Sequence, residues 1–267
     1  MKYHSKMNIL LTCAGRFKFI VDEFRKHANV YVVDNSEYNA VNAIKVPKFT
    51  NPKYLNVIYY LIQIWKIDKL ISFNEEEAII LAKAGIDVYN GNLETLLYCK
   101  DKTYPGLPTP EILDVIVKPI DGSGSRGLIT QFDGIVQRKL KGIEYQVDIL
   151  NDDNGNYVTH CVKRKISMRN GQTDKAEIAS MEILNILIKL ISITVKHRGC
   201  LDCDIMFDKD HYYVLDLNPR FGGGYMFTHA AGMNFIKFIC TGEKDFNLQY
   251  KIFCKYDAIQ KRDIQGC

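Results

Sequence analysis

The chain of 267 residues carries 35 basic and 31 acidic side chains, a net charge of +4, with 47% hydrophobic and 25% charged residues. This is globular composition with room for one large domain or two modest ones, and it excludes disordered, collagen-like and coiled-coil chains. The basic excess is too small and dispersed to predict a nucleic-acid surface, and no apolar run reaches the ~20 residues that span a membrane.

Eight cysteines are scattered through a chain too large to need disulfide staples, which fits a reducing, cytoplasmic interior. Lys2 and Lys6 precede an apolar run, Met7 to Cys13, that is too short for a signal peptide and reads as a strand. From there, short apolar runs alternate with amphipathic stretches, the pattern of βαβ units around a parallel sheet. Strands are predicted over 8–12, 30–34, 69–73 and 87–89, and helices over 17–27, 52–65 and 75–84. Asn51 caps the second helix, with Pro52 at its first position. Parallel sheets place ligands at the carboxyl ends of their strands, so Thr12, Cys13, Gly15, Arg16, Asp34, Asn74 and Glu75 form a candidate crevice. The first turn, Thr-Cys-Ala-Gly-Arg, lacks the three glycines of a dinucleotide fingerprint, and Asp34 reads as a turn cap.

The next informative stretch is a strand carrying Lys118, followed by Gly122, Ser123, Gly124, Ser125, Arg126 and Gly127. Glycines let backbone N–H groups converge on an anion, and the serines and arginine add donors and charge. A plain Gly/Ser hairpin stands level with that reading. No Gly-Lys-Ser/Thr opens a helix afterwards, so the loop is not a Walker P-loop. After a bend at Lys141 and Gly142 comes an alternating strand with Glu144, Gln146 and Asp148 on one face, for which solvent exposure is the plain explanation.

The third constellation is a hairpin. Asp216 and Asn218 end an apolar strand and share a face by period two. Asp204 joins them if the connecting loop has an odd number of residues. Two carboxylates and an amide suit a hard cation such as Mg²⁺, and Arg220 points the same way, able to hold a phosphate bidentately. Cys200-x-x-Cys203 near His197 is discounted as a zinc or redox site, because alternation sends the two thiols to opposite faces and no second pair follows. His160 and His229 read as packed or exposed rather than catalytic.

In this order, Lys118 with its loop, the segment from Gln137 to Glu144, and Asp204 with Asp216-x-Asn218-Pro-Arg220 resemble the ATP-grasp superfamily, especially short relatives of the carbamoyl phosphate synthase large subunit. The resemblance runs from about Cys99 to Gly224. It implies an α/β (α+β) fold: a Rossmann-like pre-ATP-grasp domain over 1–98, a shortened ATP-grasp domain over 99–242, and a tail or closing element over 243–267 that is also a candidate dimer contact. It further implies that Lys102 and Lys118 reach the phosphates of ATP and that the loop from Gly122 to Gly127 covers them. Gln137, Arg138, Lys139 and Leu140 would meet the adenine through their backbone, and Glu144 would hold the ribose. Asp204, Asp216 and Asn218 match Mg²⁺ ligands, with Mn²⁺ an alternative metal. Arg220 matches the arginine that steadies the transferred phosphate, and Arg164 a basic residue aimed at the acyl phosphate.

The implied reaction is ATP-dependent activation of a small-molecule carboxylate as an acyl phosphate, then capture by an amine or similar nucleophile with release of ADP and phosphate. Two departures stand out. Asp216 occupies a position where relatives usually carry glutamate, and only Thr103 to Val117 separates Lys102 from Lys118. That short segment motivates an alternative: a nucleotide-binding regulatory or partner protein that keeps the fold without the ligase chemistry.

Overall fold

The computed structural model describes residues 6–113, 135–169 and 172–255. Its first sheet is parallel and grows from the β-branched runs near the N-terminus: β1 (Asn8–Thr12), β2 (Asn29–Asp34), β3 (Ile44–Lys45) and β4 (Lys69–Ser72), in the order β3-β2-β1-β4. Helices α1 (Lys18–His27), α2 (Tyr54–Trp65) and α3 (Glu75–Lys83) connect or follow these strands. They bury Val21 and Phe24, Ile58 and Leu61, and Ala78 and Leu81.

Two local expectations change. Residues 87–89 form no strand. Tyr89 N–H donates to Leu70 O at 2.7 Å and the Asn90 side chain bridges Ser72, so the segment follows β4 without a ladder. The second helix begins at Tyr54 rather than Pro52, because the Asn51 carboxamide accepts from Lys53 N–H at 2.9 Å and closes a turn ahead of it. The sequence reading also missed α4 (Leu93–Lys100), whose cap is Asn92, accepting from Thr95 N–H.

The second sheet is antiparallel, in the order β10-β7-β6-β5-β8-β9. Its strands are β5 (Ile143–Asn151), β6 (Tyr157–Arg169), β7 (Gln172–Ile178), β8 (Gly199–Asp208), β9 (His211–Asn218) and β10 (Ile252–Cys254). β10 supplies a closing edge to β7, accounting for part of the C-terminal segment. Helix α5 (Glu182–Val195) packs Leu184, Ile188 and Ile191 onto one face, against Val147, Ile149 and Leu201. The opposite face carries the polar Gln146, Asp148, Lys163 and Asp202 beside Leu150, Cys161 and Cys200, which join the core of the first sheet.

Helices α6 (Tyr225–Ala230) and α7 (Phe235–Thr241) tie the two sheets together. A shared core joins Ile9, Leu11 and Phe24 to Cys200, Phe221, Tyr225 and Phe235. Phe221, 1% exposed, meets Phe24 edge-on at 5.7 Å and Tyr225 at 4.6 Å. These aromatic contacts anchor the residue after Arg220, so they fix the turn that leaves the hairpin.

Candidate active site

The hairpin reaches its geometry by a route the sequence did not reveal. β8 and β9 are joined by only two residues, Lys209 and Asp210, with φ of 48° and 66°. Such a tight turn fits the twist of the strands, but an even loop alone would put Asp204 and Asp216 on opposite faces. A bulge corrects the parity: Asp204 pairs with Asp216 and Ile205 with Val214, so Leu215 is the extra residue. Asp204 therefore faces Asp216, and Asp202 faces Asn218.

The polar face of β5 is not solvated, contrary to the plain expectation. Gln146 and Asp148 are 6% and 0% exposed, and β6 brings Lys163 and Lys165 to the same face. Lys163, itself fully buried, pairs with Asp148 and donates to Thr228 Oγ1 at 2.9 Å. Gln146 donates to Asp202 at 2.6 Å. Lys165 bridges Glu144 and Asp204, the latter at 2.9 Å. The turn after Arg220 lies against this network. A Cβ on Gly222 would stand 2.2 Å from the Asp202 carboxylate, and one on Gly224 1.8 Å from Gln146 Oε1, so close approach explains the glycine run.

These residues line a cavity of about 300 Å³ that contains Asp202, Asp204, Asp216, Asn218, Arg220 and Lys165, with Arg16 at its rim from the first sheet. Lys102 ion-pairs with Asp216, and the Tyr104 phenol donates to the same carboxylate at 3.1 Å while accepting from Leu217 N–H. Asn218 donates to Asp216 at 2.9 Å. Burial raises the Asp216 pKa, but the Lys102 ammonium and these donors outweigh it and hold the carboxyl below its ordinary value. Burial wins at Asp204, whose pKa is raised despite Lys165, and at Asp202, raised by burial and by the carboxylates of Asp204 and Asp148.

The expected site residues divide accordingly. Lys102, Asp204, Asp216, Asn218 and Arg220 come together, and Glu144 reaches Asp204 through Lys165. Arg164 does not join them: strand alternation turns it to the other face, where it donates to Glu177 at 2.9 Å. Lys165 stands in the cavity instead. Gln137 bridges to Ile112, and Arg138 N–H donates to Glu111 O, so the hinge strand pairs with 111–113. The Arg138 side chain meets Tyr213 and Asp208 at the hairpin end, Lys139 is exposed, and Leu140 is half-buried. Lys118 and residues 122–127 lie outside the described residues.

Asp202, Lys165, Gln146 and Tyr104 were not singled out as site residues from sequence. Period two would have found Asp202, two before Asp204. Cys200 and Cys203 enter different cores, as alternation requires, and both are free thiols. His197 is fully buried, its ring bonded to Ile149 O at 3.2 Å, and is no metal ligand here. Asp34 accepts from Gly15 and Ser36 N–H, the turn cap expected of it.

No three His, Cys, Asp or Glu side chains among the described residues are grouped to hold a metal by themselves. Two facing carboxylates with a neighbouring amide, their charge met by two lysines, still fit a hard cation that draws remaining ligands from water and phosphate.

A family model described as ATP-grasp in the biosynthetic pathway with Ter operon matches residues 131–257. Residues 131–257, just under half of the chain, are the part that matches an ATP-grasp family. Solved structures share its fold. A crystal structure of L-amino acid ligase from Bacillus licheniformis is 16% identical with a TM-score of 0.63, covering 88% of this chain and 73% of that one. The biotin carboxylase domain of a thermophilic 2-oxoglutarate carboxylase, bound to bicarbonate, is 16% identical with a TM-score of 0.64, covering 94% and 74%. The complete multifunctional pyruvate carboxylase from Rhizobium etli is 15% identical with a TM-score of 0.61, and this chain spans 30% of its length. A search of curated proteins returned no match. No helix among the described residues is long and apolar enough to cross a membrane.

Proposed function

We propose that this chain is an ATP-dependent ligase that activates a small-molecule carboxylate as an acyl phosphate and joins it to an amine or similar nucleophile, releasing ADP and phosphate. The observation that carries the reading is the register of β8 and β9, which sets Asp204 opposite Asp216 in a cavity shared with Asn218, Arg220 and Lys165. Two fold neighbours, an amino acid ligase and a bicarbonate-bound biotin carboxylase, support the same class of chemistry.

Attack of a carboxylate on a terminal phosphate joins anionic partners, so it needs neutralised charge and in-line positioning more than a protein nucleophile. Asp204, Asp216 and Asn218 would hold Mg²⁺, or Mn²⁺, which when bound supplies charge neutralisation to the ATP phosphates. Arg220, anchored by Phe221, holds the transferred phosphoryl group from the protein side. Lys102 and Lys165, which neutralise Asp216 and Asp204 in this structure, are also placed to meet phosphate oxygens that would share the cavity. Lys118 and the glycine-rich loop complete the phosphate cradle, and the hinge at Gln137 to Leu140 meets the adenine with Glu144 at the ribose. Division at about residue 98 then separates a substrate-shaping first unit from the nucleotide-binding one.

ADP formation by the full chain with Mg²⁺, assayed against panels of carboxylates and amines with hydroxylamine as a trap, tests the proposal. Acid-dependent ADP release with hydroxamate formation is expected, and its loss in Asp216→Asn. Turnover that persists in Asp216→Asn and Asp204→Asn contradicts the assignment.

A further inference from the structure

Beside the metal cavity lies a second one of about 360 Å³, and the two share Arg16, Phe17, Gln172 and Gly223. Its lining includes Arg16 and Lys18 around the start of α1, Arg169 from the end of β6 and Lys255 after β10, with no acidic side chain among the described residues. Phe17, Phe19, Ile20 and Met226 supply an apolar wall.

Four cations around one cavity whose described lining holds no acid are not expected from a chain with a net charge of only +4. Lys18 pairs with Asp22 at 2.6 Å and Arg169 with Asp174 at 3.1 Å, but Arg16 and Lys255 have no carboxylate within 4.0 Å among the described residues. Burial pushes the Lys255 pKa down, an effect only partly offset by Asp174, as for an ammonium that lacks a close counter-ion. The first turn of α1 adds to the positive field, since Phe17 caps it without a side-chain bond and it contains no acid. Convergent like charges are costly unless an anion joins them.

We propose that this basic cavity receives a second anionic group, carboxylate or phosphate, on the acid whose reacting carboxylate enters the metal cavity. The substrate class is thus a dianionic acid with a short apolar spacer, and Lys255 with Arg16 determines that specificity. The inference rests on the ligase reading for the identity of its ligand as donor.

The test is calorimetric titration of the full chain, with Mg²⁺ and a non-hydrolysable ATP analogue, using three acids of similar length: butyrate, glutarate and 3-phosphonopropionate. Glutarate or 3-phosphonopropionate is expected to bind about tenfold or more tightly than butyrate, the scale of one charge-assisted contact, and the tighter of the two identifies the second group. Lys255→Met removes the preference and Lys255→Arg retains it, while affinity for the ATP analogue is unchanged in both. Equal or undetectable binding of all three acids overturns the proposal. So does a preference that survives Lys255→Met, or an effect of that variant on the ATP analogue alone. If the preference holds but no acid supports ADP release, the ligase reading falls and the anion site stands.

Discussion

Lys163 tests how the site is held together. Its ammonium is fully buried next to the cavity of Asp202 and Asp204 and pairs with the equally buried Asp148, with Thr228 and Gly224 O as its other neighbours. Lys163→Met keeps most of the apolar stem but leaves Asp148 with the Thr228 hydroxyl as its remaining donor among the described residues. Removing one partner of a buried pair costs ~3 to 5 kcal/mol, because the other charge stays desolvated. For a chain of this length each kcal/mol lowers the melting midpoint by roughly 2 to 4 °C, so a drop of roughly 6 to 20 °C is expected. Asp148→Leu should cost a similar amount. The double variant should recover most of the loss, since two apolar side chains leave no unpaired charge. Equilibrium urea unfolding of the four proteins closes the cycle. Additive losses in the double variant, or a single-variant loss under about 1 kcal/mol, would refute the argument that pairing of these two buried charges supports this sheet.

Three further outcomes follow from the same structure. Asp204→Asn and Asp216→Asn should each lower Mg²⁺-dependent ADP release at least about a hundredfold with little change in melting midpoint, as loss of several kcal/mol of charge stabilisation requires; a tenfold loss or less in steady-state kinetics contradicts it. Burial pushes the His197 pKa down to about 4 from 6.5. The unfolded chain therefore binds the proton first as pH falls, and stability that is complete above about 6.5 should decline by about 3 kcal/mol on the way to pH 4. That slope should be absent from urea titrations of His197→Gln. Gly224→Ala drives a Cβ into Gln146, itself held by Asp202, and should cost about 1 to 3 kcal/mol with loss of turnover; an active variant of unchanged stability would show that the turn does not need that approach.

The first sheet was readable because apolar runs and polar helix faces alternate at distinct periods: β1 falls on residues 8–12 as expected, and β2 and β4 differ by one residue. The hairpin residues were readable for the same reason, but their route to a common face was not. Parity over a loop of unknown length assumes a regular ladder, and the bulge at Leu215 breaks that assumption with no glycine to announce it. Arg164 and Lys165 show the opposite error, since adjacent cations on a strand point to opposite faces and only the pairing of Arg164 with Tyr145, beside Lys163 with Gln146, tells which face is inside. Asp148 looked like a surface charge until the sheet brought Lys163 to it. Tyr104 acts through a backbone with φ of 43°, a conformation its residue type does not advertise.

The most direct measurement of the central claim follows oxygen. With Mg²⁺·ATP, an amine and a carboxylate bearing heavy oxygen, acyl phosphate formation transfers one labelled oxygen from the acid to the released inorganic phosphate, which mass spectrometry resolves. The account predicts one labelled oxygen per phosphate in the wild type and no labelled phosphate from Asp216→Asn. Amide formation with unlabelled phosphate would contradict it.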